Sequence, residues 1–281
     1  MSTTNQYKIA VLLPTRGRTD ALSRSVIGLV NRAVMLDQIQ LLFAFDNDDE
    51  IGKAHFAEHL QPWLDNKGVD YTAMEFERLG YSRLNEYINA LAKQASADWL
   101  FFWNDDALMD TSGWDKIIAG YTGQFKLLAV HTHKDHPYSI FPIVPRAWMD
   151  QLGYLSPHPL TDAWLSQVAY QLDIWERIPV HVTHDRHDLT GNNKDQTFDS
   201  RNMHELEGNP NNPQDFHNIG WIQLRINETE RLSQYMKFVG LDTSWWENIK
   251  TGKQNPWEKL VANDVNNHMK HFKLSFKGPA Q

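Results

Sequence analysis

The stretch Asp98-Trp99-Leu100-Phe101-Phe102-Trp103-Asn104-Asp105-Asp106 runs large apolar side chains without a break, then stops on an amide and two carboxylates. A short apolar run closed by turn formers is the signature of a strand buried on both faces. Such a strand delivers the residues that follow it to the rim of its sheet. Two adjacent carboxylates at a rim repel each other unless a cation lies between them. Oxygen ligands suit a hard ion such as Mg2+ or Mn2+, which can bridge the phosphates of a nucleotide. A solvated Asn-Asp-Asp turn is the other reading of these residues.

The segments before this strand alternate in type. Tyr7 to Leu13 reads as a buried strand closed by Pro14, and Asp20 to Val34 as a helix with Leu22, Val26, Leu29 and Val30 on one side. Gln40 to Phe45 is a second buried strand, ended by the acidic run Asp46 to Glu50. Ile51 to Leu64 reads as a helix, Asp70 to Phe76 as a strand and Ser82 to Gln94 as a helix. Strands alternating with helices predict an α/β fold, a mainly parallel sheet flanked by helices. Ligands of such sheets sit beyond the carboxyl ends of the strands. Three strand ends carry polar clusters: Pro14-Thr15-Arg16-Gly17-Arg18, Asp46 to Asp49, and Asn104 to Asp106.

From residue 127 the pattern becomes mixed. Lys126 to Val130, Ser139 to Val144 and Ile178 to Thr183 read as strands, Arg146 to Leu152 and Ala163 to Leu172 as helices. Residues 185–217 are polar and read as loop. Residues 219–239 and 256–272 have helical spacing. The expected organisation is a domain over 1–205, a polar linker over 206–218 and a C-terminal helical extension over 219–281.

Composition narrows the function classes. The 281 residues hold 35 acids and 27 bases, a formal net charge of −8, which argues against broad nucleic-acid affinity. There is no cysteine, so disulfide and thiolate chemistry are excluded. No apolar run reaches the roughly 18 residues of a membrane span, and the N-terminus lacks a signal-peptide core. The expectation is a soluble, cytoplasmic protein.

The chain resembles the family 2-type GT-A glycosyltransferases, which have the nucleotide-diphospho-sugar transferase fold. The resemblance rests on Leu12-Leu13-Pro14-Thr15-Arg16-Gly17-Arg18 at the first strand end, Phe45-Asp46-Asn47-Asp48-Asp49 at the second, and Asn104-Asp105-Asp106 at the position of the DXD motif. Asn104 departs from the usual Asp. The resemblance covers roughly residues 7–190. It implies a donor-binding set of Pro14, Thr15, Arg16, Arg18, Asp46, Asp48 and Asp105, with Thr15, Arg16 and one of Asp46 or Asp48 on the nucleoside. It also implies an Mn2+ or Mg2+ ion held by Asp106, alone or with Asp105. Many GT-A enzymes add a late histidine to that metal; His184 or His187 resembles it, His184 lying closer to the strand end. Inverting members place a catalytic base at the start of a helix, and Asp162 in Thr161-Asp162-Ala163-Trp164-Leu165 matches that position. A carboxylate there can take the proton of an attacking hydroxyl. Thr161 or Asp162 as a helix N-cap is the plain alternative.

Other features carry two readings each. His131 and His133 would share one face of a strand, as acceptor or phosphate contacts or as a polar strand end; His136 follows them. Lys194 or Arg186 could serve a loop closing over a diphosphate, or be solvated. Trp245-Trp246 could stack on a sugar or anchor the extension.

The expected function is transfer of a sugar from a nucleotide-sugar donor, a UDP-sugar favoured, to an acceptor hydroxyl with inversion. Two other enzymes compete: a nucleotidyltransferase on the same kind of sheet, though the first strand end lacks a Lys, and a His-rich metallohydrolase. A non-catalytic carbohydrate-binding module is the third rival. The acceptor is open among a saccharide, a lipid-linked sugar, a protein and a modified nucleobase, and the oligomeric state is unknown.

Overall fold

A computed structural model of the chain describes residues 6–132, 138–191, 209 and 211–254, without the side chains of 187 and 188. The expected helix at 256–272, Lys194, His133 and His136 lie outside the described residues.

The first half is the predicted alternation. β1 (Tyr7–Thr15) leads to α1 (Thr19–Arg32), and β2 (Ile39–Asp46) to a helical stretch made of α2 (Glu50–His55), a π-helical turn (Phe56–Leu60) and α3 (Gln61–Lys67). β3 (Asp70–Phe76), α4 (Leu84–Gln94) and β4 (Ala97–Phe102) follow. The second half adds β5 (Ala107–Met109), α5 (Trp114–Ala119), β6 (Leu127–His131), β7 (Ile143–Pro145), α6 (Arg146–Leu152), α7 (Thr161–Leu172) and β8 (Trp175–His184). The short α8 (His187–Thr190), the long α9 (Ile219–Phe238) and α10 (Ser244–Lys250) complete the described chain.

The strands form one eight-stranded sheet ordered β3-β2-β1-β4-β7-β6-β8-β5. β3, β2, β1 and β4 run parallel; β7 is antiparallel to β4 and to β6, β6 is parallel to β8, and β5 antiparallel to β8. All eight residues of β2 are buried, as a central strand covered on both faces requires.

Alternation along the strands feeds two cores. Ala10, Leu12, Leu42, Ala44, Leu100 and Phe102 face one side, where Ile88 and Leu91 of α4, Trp148 of α6 and Leu165 and Val168 of α7 cover them. Ile9, Val11, Leu41, Phe43, Trp99 and Phe101 face the other, beneath Val26 and Leu29 of α1, Leu60 and Leu64 near α3, and Trp114 of α5. α9 and α10 lie on the first side: Phe216, Leu232, Met236, Trp246 and Ile249 join that core. Trp246 is fully buried with its indole N–H donated to Glu230 at 2.7 Å, and Trp245 donates to the Tyr170 carbonyl at 3.0 Å. Trp246 is therefore an anchor of the C-terminal helices. Burying side chains of that size contributes about 2–3 kcal/mol each, enough to fasten two helices to the sheet domain.

Three details differ from the sequence reading. The strand expected at 139–144 is only Ile143–Pro145, because the residues before it bend. β8 is longer than Ile178–Thr183, starting at Trp175. β5 and α5 carry too few residues for a periodic signal. Among the described residues, no helix is long and apolar enough to cross a membrane.

Candidate active site

Strand register decides which residues meet. Thr15 is level with Phe45, one residue before Asp46, so the ends of β1 and β2 share a rim. Leu12 is level with Phe102 in β4. Three residues further along each chain stand Thr15 and Asp105, and the Thr15 hydroxyl donates to Asp105 Oδ2 at 2.9 Å. The three polar clusters converge at this edge.

Arg16 turns toward β2. Its Nη1 donates to Asp46 Oδ2 at 2.8 Å and its Nη2 to Asp48 Oδ2 at 3.1 Å, with Arg78 another 3.9 Å from Asp48. Tyr87 of α4 donates its hydroxyl to the second oxygen of Asp46. Burial, with Asp46 alongside, pushes the Tyr87 phenol up to about 12, so it stays a donor. Asp48 is held below the usual carboxylate range, first by its hydrogen bonds from Arg16.

Gly17 then reverses the chain with φ of +66°, a left-handed conformation that favours glycine. Its N–H donates at 2.9 Å to Asp49 Oδ2, and Asp49 Oδ1 accepts from Gly52 N at 3.1 Å as the cap of α2. One carboxylate thus ties the first loop to the second.

Arg18 follows and reaches back over β4. Its Nη1 is 3.0 Å from Asp105 Oδ1 and 3.0 Å from Asp106 Oδ2. The cation expected between these carboxylates is supplied here by the chain itself. Burial, then the neighbouring Asp106 charge, raises Asp105 against the opposing pull of Arg18 and Thr15. Burial also works to raise Asp106, but His184 and Arg18 outweigh it and hold its carboxyl below the usual range.

The short β5 brings in the histidine. Ala107 is level with His184 in β8, and the Asp185 N–H donates to the Asp106 carbonyl at 2.8 Å. His184 Nε2 accordingly lies 3.2 Å from Asp106 Oδ1. That approach lacks hydrogen-bond alignment: Asp106 Oδ1 and His184 Nδ1 are both buried with no hydrogen-bond partner. Asp185 accepts from Arg24 Nη2 of α1 at 3.1 Å and from Thr190 of α8 at 2.6 Å, which fixes the chain just past β8. His187 opens α8, its side chain outside the described residues.

Asp162 lies in the first turn of α7, whose cap position is Leu160 with no capping side chain. Its Oδ1 accepts from the adjacent Ala163 N–H at 2.8 Å, while Thr161 donates backward to the His158 carbonyl at 3.4 Å. Neither residue is an N-cap. Enclosure by the protein raises Asp162 to about 6, opposed by its backbone hydrogen bonds and by the charges of His184 and Arg186, which lie within electrostatic reach. His131 stacks on His181 at 4.7 Å between ring centroids, at the end of β6. Among the described residues, no three Asp, Glu or His side chains already surround one point as a metal cage.

Sequence reasoning missed Tyr87, Asp49, Arg24 and Asp185. Asp49 carried a signal, as the residue before a helix start, but Tyr87 and Arg24 sit mid-helix, where nothing local distinguishes them.

No protein-family profile and no curated protein matches the sequence. Solved structures do. The TarS fragment 1–349 of S. aureus in complex with UDP-GlcNAc superposes with a TM-score of 0.58 at 12% identity, over 96% of this chain and 76% of that one. The mannosyltransferase PcManGT of Pyrobaculum calidifontis, in complex with GDP-Man and Mn2+, gives 0.53 at 9% identity over 89% and 80%. GalNAc-T7 with UDP, GalNAc and Mn2+ gives 0.50 at 11% identity, over 65% of this chain and 44% of that one. Against the UDP complex of the TarS fragment, the chain spans 58% of that protein's length. Likeness at such identities speaks to architecture, and the architecture is unambiguous: this chain has the GT-A glycosyltransferase fold.

Proposed function

We propose that the chain is a glycosyltransferase that moves a sugar from a nucleotide-sugar donor, a UDP-sugar favoured, to an acceptor hydroxyl with inversion, using a divalent cation. One observation carries the reading: Arg16 with Asp46, and Asp105-Asp106 with His184, meet at the carboxyl ends of β1, β2, β4 and β8, which run the same way in one mixed sheet. That is where such sheets hold nucleotides. Neighbours of this fold are complexed with UDP-GlcNAc, with GDP-Man and Mn2+, and with UDP and Mn2+, which supports the same donor class here.

The residues fit a divalent ion. Asp106 Oδ1 is buried without a hydrogen bond and stands 3.2 Å from an imidazole nitrogen. A carboxylate beside a histidine suits Mn2+ better than Mg2+. Asp106 and His184 would hold the ion, with Asp105 behind them. When bound, such an ion neutralises the charge that develops on a departing diphosphate.

The chain's own residues supply the rest. Asp46, held by Arg16 and Tyr87, presents fixed polarity for the nucleoside, and Asp48 lies at the exposed side of the same cluster. Thr15 orients Asp105 through its hydroxyl. Arg16 and Arg18 give the rim positive charge for the phosphates. Asp162, raised by enclosure and not engaged as a cap, accepts the proton of the attacking hydroxyl.

The test is a thermal-shift panel of nucleoside diphosphates with Mn2+ on wild type and Asp106→Ala. Stabilisation by UDP that needs Mn2+ and disappears in the variant is the expected result. A panel without response from any nucleotide would overturn the reading. Formation of pyrophosphate from a nucleoside triphosphate and a sugar phosphate would move the assignment to a nucleotidyltransferase.

A further inference from the structure

Asp105 and Asp106 are consecutive and both buried, at 6% and 4% exposure. Two such carboxylates stay ionised together only with positive charge between them. Arg18 provides it: one guanidinium nitrogen stands 3.0 Å from an oxygen of each, in an environment only 12% exposed. Asp106 is meanwhile half engaged. Oδ2 accepts from Arg18, while Oδ1 is buried without a hydrogen bond, facing His184.

We propose that Arg18 is an internal stand-in for the divalent cation, neutralising Asp105 and Asp106 while the donor is absent and yielding them when metal and nucleotide diphosphate enter together. The inference rests on the reading of Asp106 and His184 as metal ligands. A metal arriving alone at Asp106 and His184 has to compete with an enclosed guanidinium already paired to the other oxygen of Asp106, which weakens binding of the metal by itself. A diphosphate arriving with the metal offers the released guanidinium a new anion, and Arg–phosphate pairing is as strong as the pairing it replaces. Metal and nucleotide therefore bind cooperatively, and the coupling is reciprocal. Arg18 sits where it can serve both, directly after the Gly17 turn and at the start of α1.

Mn2+ binding to the full chain is measured by electron paramagnetic resonance of the free ion, with and without UDP, in wild type, Arg18→Met, Arg18→Lys and Asp106→Asn. Wild type is expected to bind Mn2+ weakly alone and about tenfold or more tighter with UDP, a coupling in the usual allosteric range. Arg18→Met is expected to bind Mn2+ alone about tenfold tighter than wild type, with UDP adding little. Arg18→Lys keeps the charge and stays near wild type. Unchanged or weaker Mn2+ binding in Arg18→Met, while wild type binds and Asp106→Asn does not, overturns the role of Arg18 and leaves the metal site standing. No Mn2+ binding by any of the proteins, or full binding by Asp106→Asn, overturns the site itself. Should Arg18→Met be unfolded in chelator, folding on addition of Mn2+ supports the proposal, and failure to fold with it counts against it.

Discussion

A Cβ on Gly52 would stand 2.8 Å from the carboxyl carbon of Asp49, so the cap of α2 fits only because its third residue has no side chain. The same carboxylate accepts from Gly17 N at 2.9 Å, which makes this cap a strut between helix α2 and the loop that carries Arg16 and Arg18.

Gly52→Ala is expected to push Asp49 off both amides and to destabilise the fold by about 1–3 kcal/mol, the cost of a lost cap plus an unpaired N–H. UDP-induced stabilisation should fall in parallel, because the Gly17 turn loosens. Chemical denaturation and a UDP thermal-shift titration check both. A variant with wild-type stability would show that the strut carries no energy.

Asp46 and Asp48 contact one arginine but should differ sharply. Asp46 is buried and engages Arg16 and Tyr87 together, so Asp46→Asn is expected to cost about 3 kcal/mol, the lower end for breaking a buried pair. Asp48 has a side chain 47% exposed, so solvent screens its pairing and Asp48→Asn should leave stability near wild type. UDP affinity should drop about a hundredfold in the first and less than about tenfold in the second. Equal losses in the two variants would contradict the assignment of the nucleoside to Asp46.

Asp162→Asn keeps the shape of the α7 start and removes the base. Release of UDP from a UDP-sugar with a competent acceptor should slow by about 10²–10⁴-fold, with UDP binding unchanged. Loss of binding together with turnover would instead mark Asp162 as a donor contact.

Glu228 on α9 provides a test of pH dependence away from the site. Burial raises its carboxyl to about 7, although it accepts from the Tyr154 hydroxyl and the Trp164 indole at 2.7 Å each and has Arg225 and Arg231 nearby. A carboxyl raised in the folded state holds its proton more tightly there. Its contribution to stability is full below the ordinary value of 4.5 and is lost as pH rises through about 7. His158, lowered by burial to about 4, works the other way, gaining stability as pH rises. Comparison of Glu228→Gln with wild type removes the His158 contribution. The variant should gain on wild type by about 2 kcal/mol between about pH 5.5 and 8. Denaturation curves at the two pH values measure it, and parallel behaviour would show that Glu228 is already ionised.

Residues that act through local chemistry were readable without coordinates. Parallel strands at 7–15, 39–46 and 97–102 are nearly all apolar, and the polar residues that end them must emerge at one edge. The convergence of Thr15, Arg16, Asp46 and Asp105 follows from that pattern alone. α9 was legible from its helical spacing, whereas α10 and the three residues of β5 were too short to declare themselves.

The pairing of Asp106 with His184 belongs to the tertiary structure, because it depends on β5 lying antiparallel to β8, which brings Ala107 level with the distant His184. The same holds for Arg18, which local sequence marks as one more basic residue of a polar loop. Only the left-handed turn at Gly17 and the register of β1 against β4 aim its guanidinium at Asp105 and Asp106. Sequence placed two adjacent carboxylates at this rim and left two readings of them, a pair with a cation between and a solvated turn. Which cation the chain supplies was decided by distances between residues far apart along it, and those exist only after the sheet has formed.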